Sequence, residues 1–181
     1  MGWKNTSARY GSLSIAMHWL MFLLIAAVYA CIELRTQFAR GSDIREALKV
    51  WHFMLGLAVF ALVWVRLLGR FVGKIPSIVP NPSKLQLRIA HTFEYAIYAF
   101  MIVMPLLGWL ILSAENRPIP FFGLELPALI PEDKALAGRL EEIHETLGTA
   151  GYFILGIHAL AALGHHYIRR DNALTRMLPA R

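Results

Sequence analysis

Apolar residues gather into four long runs, separated by segments where charge and proline concentrate. The first, Leu13 to Ile32, carries no formal charge over 20 residues. The second, Val50 to Leu68, is interrupted only by Arg66, and the third, Ile89 to Leu112, only by Glu94. The fourth runs from Ile143 to Ile168, between Glu141–Glu142 and Arg169–Arg170. Each reaches the ~20 residues needed to cross a hydrocarbon layer of ~30 Å. Lipid cannot satisfy backbone polar groups, so runs of this length predict helices. The pattern predicts an all-α, integral membrane four-helix bundle with spans at about 13–32, 50–68, 89–112 and 143–168.

Composition agrees with a lipid solvent. The 181 residues are 57% hydrophobic and 17% charged, where a soluble domain has about a quarter charged. The first run is longer than the apolar part of a signal peptide, holds His18 and Trp19, and has no A-x-A-like cleavage site before Glu33. It is expected to be retained.

Charge sets the expected orientation. Lys4, Arg9, Arg66, Arg70, Lys74, Lys84, Arg88, Arg169, Arg170, Arg176 and Arg181 fall on one side, 11 of the 18 basic residues, leaving seven on the other. The side richer in Lys and Arg is the cytoplasmic one, so both termini are expected there. The net charge of +6 then reflects residues beside anionic head groups, and membrane lipid rather than nucleic acid is the expected partner. Residues 1–181 read as a single domain. Pro76–Pro82 reads as a short connection, and Arg117–Glu132 as a loop long enough to cap the outer face. Cys31, the only cysteine, rules out a C-x-x-C-H attachment, so any haem is bound without thioether bonds.

The chemistry lies in seven histidines, since ionisable groups inside spans are costly and tend to be functional. His18, His52 and His91 fall in spans one, two and three; His144, His158, His165 and His166 fall in span four. At 100° per residue, His158 returns to within ~40° of His144, and His165 drifts by only ~20° more. His144 and His158 are then ~21 Å apart along the helix. His166 points ~100° off that stripe, towards the head groups. Gly148, Gly151 and Gly56 follow histidines at helical spacing, where a missing side chain admits a flat macrocycle, though small residues also serve helix packing. Depth pairs His52 with His144 near the outer face and His18 with His158 near the inner face. His91 with His165 remains a shallower alternative to the inner pair.

Two histidines from different helices suit a haem iron, whose other four ligands come from the porphyrin. Zinc would require a third or fourth protein ligand. A fully ligated centre passes single electrons and leaves no iron position for oxygen. Proton-relay histidines are the rival reading.

At these residues the chain resembles a known family. S-I-A-M-H-W-L, E-I-H-E-T-L-G, G-Y-F-I-L-G-I-H-A-L-A-A-L-G-H-H-Y and D-N-A-L-T-R-M-L-P look like bacterial cytochrome b561 over nearly the whole length. The resemblance implies two haem b groups in a multi-pass protein of the bacterial inner membrane, with His18, His158, His52 and His144 as axial ligands. One branch of the family oxidises superoxide at the periplasmic face and reduces ubiquinone. For that activity Arg45 and Lys49 are expected to draw superoxide in, opposed by Glu141, Glu142 and Glu145. His165 is the preferred quinone residue, with His91, Arg88 and Glu94 behind it. Two other classes stand beside this one: a membrane subunit relaying electrons from a periplasmic redox partner to quinone, and a haem-free channel or transporter.

Overall fold

A computed structural model describes residues 2–179. Four helices account for most of them: α1 Ser12–Leu34, α2 Asp43–Val72, α3 Lys84–Ala114 and α4 Lys134–Gly164. Between α3 and α4 lies a two-stranded antiparallel hairpin, β1 Ile119–Phe121 with β2 Leu124–Leu126. All four helices are long and apolar enough to cross a membrane, and their most apolar stretches bury only 6 to 22% of positions. Exposed Phe22, Leu23, Leu68, Phe153 and Leu160 therefore face lipid, the solvent in which such a surface is stable.

Three helices begin earlier than the apolar runs predict, because polar caps define their starts. Ser83 and Gln86 form a reciprocal capping box: Gln86 N–H donates to Ser83 Oγ at 3.3 Å and Ser83 N–H to Gln86 Oε1 at 2.8 Å. Asp133 Oδ1 accepts the Leu136 amide at 2.9 Å, starting α4. Ser42 starts α2, followed by Asp43 and Glu46 in the first turn, where carboxylates complement the helix dipole.

Contacts divide the chain into two compact units. One comprises residues up to Leu20, Trp64–Phe100 and the chain from Ala150; the other comprises Met21–Val63 and Met101–Thr149. In the first, polar side chains tie loops together. Asn5 Oδ1 accepts from Gly11 N–H and Ser14 Oγ at 2.9 and 2.7 Å. Trp19 Nε1 donates to Met177 O at 2.9 Å, and Arg176 donates to Pro76 O. An alanine at Gly11 would drive its Cβ to 2.4 Å from Trp3 O, so this approach requires glycine.

The second unit has its core at Leu57, Leu112 and Ile119, with Phe53, Trp109, Phe121 and Leu126 packed against it. The Arg117–Glu132 segment, read from sequence as a capping loop, holds the hairpin. Its turn places Phe122 and Gly123 at φ 47° and 87°, the left-handed geometry of a tight hairpin turn. Ser113 Oγ accepts the Leu129 amide at 3.0 Å and Trp109 Nε1 donates to Pro127 O at 3.0 Å, fastening the segment to α3.

Candidate functional site

Each unit brings one pair of histidines together. In the first, His18 of α1 and His158 of α4 have ring centres 6.3 Å apart. In the second, His52 of α2 and His144 of α4 have ring centres 6.2 Å apart. Two imidazoles flanking one iron, about 2 Å from each nitrogen plus a ring radius on either side, give roughly 6 Å between ring centres. Both pairs have that separation. Among the described residues no group of three or more His, Cys, Asp or Glu converges on one point. The histidines meet as twos, the donor set for a metal whose macrocycle supplies the rest.

His52 and His144 differ in what holds their rings. His52 Nδ1 lies 3.0 Å from Val28 O. A carbonyl only accepts, so Nδ1 carries the proton and Nε2 keeps its lone pair, the tautomer a metal ligand needs. His144 Nδ1 is buried without a well-formed hydrogen bond and interacts with the Met104 backbone. A Cβ added at Gly108 would stand 3.7 Å from His144 Cε1, so the ring lies beside α3 at this glycine.

His18 and His158 differ in one respect. Arg66 Nη2 lies 3.0 Å from His18 Nδ1. Arginine only donates, so Nδ1 accepts here and a neutral His18 holds its proton on Nε2. Ligation through Nε2 requires Arg66 to release Nδ1. The pair fits a haem once that exchange has occurred. Sequence reasoning counted Arg66 only as a border charge.

The glycines divide. A Cβ at Gly56 would meet nothing within 4 Å, leaving open space one turn from His52, whereas one at Gly148 would stand 3.6 Å from Met104 Cε. Gly148 O also accepts a hydrogen bond from Tyr29 Oη at 2.7 Å. Gly151 is buried.

Of the residues expected at a quinone, His165 and His91 are held by different partners. His165 Nδ1 lies 2.6 Å from Oδ2 of buried Asp171. His165 directly follows the last residue of α4, Gly164, and opens a π turn that runs from His165 to Arg169. The turn closes on His165 O, which accepts from the Arg170 and Asp171 amides while Arg170 adopts φ 53°. The wider turn rotates each residue by less than 100°, which alters the direction of the residues after His165. His91 is exposed and contacts Glu94 at 3.4 Å, and Arg88 is exposed. Glu94, whose role the sequence left open, receives Arg70 Nε and Nη2 at 2.6 and 3.1 Å. His91 and His165 thus have different partners. A cavity of about 100 Å³ lies instead beside Arg66, Arg70, Lys74, Glu94, Tyr98 and Tyr10.

Comparison with known proteins identifies the family. The family model for prokaryotic cytochrome b561 matches residues 9–180. The chain is 34% identical over 173 residues to "Cytochrome b561 homolog 1" of Escherichia coli, covering 96% of this chain and 98% of that one. It is 38% identical over 171 residues to "Probable superoxide oxidase CybB" of Yersinia pestis, covering 94% and 96%. "Cytochrome b562" of Cereibacter sphaeroides is 27% identical over 177 residues, covering 95% and 96%. Membership implies haem b, which paired histidines on membrane helices are suited to hold. Four spanning helices, histidines meeting in twos and a match over nearly the whole length together make this chain a member of the prokaryotic cytochrome b561 family, an electron-transfer protein of the bacterial inner membrane.

Proposed function

We propose that the chain binds two haem b groups, one between His18 and His158 and one between His52 and His144, and moves electrons from superoxide to ubiquinone. The observation that carries the reading is the near-equal separation of the two pairs, 6.3 and 6.2 Å, with one member of each on α4. A haem held by each pair would supply one-electron iron chemistry. Two superoxide anions give up one electron each and leave as oxygen; one quinone takes both electrons and two protons.

The chain's own residues then have three tasks. The outer surface must attract a small anion. Arg45 holds the Arg35 and Phe38 carbonyls through Nη1 at 3.0 and 2.9 Å, which keeps both arginines at that surface. Lys49 contributes less than the sequence suggests, because Glu46 pairs with it at 2.9 Å. The Val28 carbonyl must hold His52 in its ligating tautomer, which it does through the Nδ1 proton. Protons must reach the quinone, and His165, with Asp171 fixing its ring, is the residue assigned to that task. The termini are placed on the cytoplasmic side in this reading, with His165 there and Arg45 at the periplasm.

The test is quinone reduction by purified protein supplied with superoxide. Wild type should reduce one ubiquinone per two superoxide consumed. Arg35→Glu and Arg45→Glu should slow superoxide consumption and remove its salt dependence, with Lys49→Glu milder. Superoxide loss without quinone reduction would defeat the reading.

A further inference from the structure

Arg66 stands out as a charge without a counter-ion. It lies inside an apolar span and is half-buried, and among the described residues no carboxylate comes within ion-pair distance of it. Its contacts are His18 Nδ1 at 3.0 Å and the Tyr98 ring, 6.0 Å from the guanidinium carbon. Its neighbour on the same helix face, Arg70, is satisfied by Glu94. Lys74, exposed just beyond the end of α2, lines the same cavity, and among the described residues no acid pairs with it. A desolvated cation is costly unless an anion or several acceptors meet it. A neutral imidazole nitrogen, which ligation would claim, is a poor substitute.

The cavity is bounded by Arg66, Arg70, Lys74 and Glu94, with Ser14 and Met17 from the turn of α1 that precedes His18. Gly69 and Gly73 sit between the cations, and a Cβ at Gly69 would meet nothing within 4 Å. The cavity, which reaches Met17 next to His18 in the chain, is therefore lined by three cations and one acid, Glu94, already held by Arg70, and a b-type haem carries two carboxylate side chains.

We propose that Arg66 anchors a carboxylate of the haem held by His18 and His158, and that it changes partner on loading, from His18 Nδ1 to that carboxylate. Lys74 serves the second carboxylate. The exchange accounts for both anomalies: it supplies Arg66 with a charged acceptor, and it returns Nδ1 to the donor state that frees Nε2 for iron. An arginine–carboxylate contact is charge-assisted and directional, so the same contact fixes the rotation of the macrocycle about its axis. This rests on the two-haem reading above.

The test loads haem-depleted full-length protein in detergent with haem b or with its dimethyl ester, which keeps the macrocycle and removes both negative charges. Haem content and the low-spin spectrum report each site, and the outer haem in the same chain serves as the control for folding. Wild type should prefer the free acid at the inner site by at least about tenfold, a difference of ~1.4 kcal/mol. Arg66→Gln should abolish most of that preference and shift the inner haem's midpoint potential, while Arg66→Lys keeps part of both. The outer site should be unchanged in every variant. Equal preference in wild type and Arg66→Gln, with both haems bound, would overturn the proposal while leaving the two-haem reading intact. Loss of tightly bound anionic lipid from Arg66→Gln without a change in haem preference would also overturn it, assigning the cation to a lipid phosphate. Wild type that takes up no haem at His18 and His158 would defeat the underlying reading instead.

Discussion

Arg70 holds Glu94 with two nitrogens, Nε at 2.6 Å and Nη2 at 3.1 Å from its two carboxylate oxygens, joining α2 to α3 within one unit. Both side chains are largely covered, at 21 and 32% exposure. Removing one partner strands the other, which costs more than the net worth of the pair. Glu94→Gln should therefore lower stability by about 2 kcal/mol, read as a lower melting temperature in detergent. Arg70→Gln in the same background should recover part of the loss. An unchanged melting temperature in Glu94→Gln would show that the pair is replaced by solvent.

His165 and Asp171 give a pH dependence with a definite sign. Burial opposes ionisation of Asp171, but the His165 hydrogen bond, the Ala173 amide and the charges of His165 and Arg169 outweigh it and hold the carboxyl below its ordinary value of 3.8. A carboxylate depressed in the folded state stabilises fully above its unfolded pKa and loses that contribution as pH falls through the folded one. Wild type should lose stability below about pH 3.8. Asp171→Asn should melt lower at pH 6 and lack this acid-side loss. Parallel melting curves for the two proteins from pH 6 to pH 3 would contradict the assignment.

The same pair bears on quinone chemistry. His165→Ala should slow ubiquinone reduction by 10² or more if it hands on a proton, with both haem spectra intact. Asp171→Asn should raise the quinone KM more than it lowers kcat, since it loosens the ring without removing it. A His165→Ala protein as fast as wild type would remove this residue from the mechanism.

Gly56 separates haem packing from helix packing. A leucine there meets no protein atom at its Cβ, so the chain should fold and keep its inner haem. It should lose the outer one, because the new side chain fills the space beside His52. Gly148→Ala should be mild by comparison, its nearest neighbour being the flexible end of Met104 at 3.6 Å. Two haems in Gly56→Leu would leave Gly56 a packing residue.

What the sequence revealed, and what it hid, follows from the range of each interaction. The four spans were legible because hydropathy is additive along a run. Their ends were not, since Ser83–Gln86 and Asp133 lie outside the apolar residues that were counted; the S-x-x-Q signal was present and unused. Depth matching selected the histidines that stand 6.2 and 6.3 Å apart, because a span fixes depth to within a turn. It did not see Arg66, whose contact with His18 spans 48 positions. The period gave no sign of the π turn that begins at His165 and redirects the residues after it. The hairpin escaped notice since its strands are three residues each and interrupted by Pro120.

The central claim is that paired histidines carry two haems between superoxide and quinone. The most direct measurement is a reduced-minus-oxidised spectrum with haem stoichiometry, taken after adding superoxide and again after adding ubiquinone, for wild type, His52→Ala and His158→Ala. Wild type should hold two haem b per chain, both reduced by superoxide and both reoxidised by the quinone, and each variant should hold one. Retention of two haems in either variant, or haem that superoxide leaves oxidised in wild type, would contradict it.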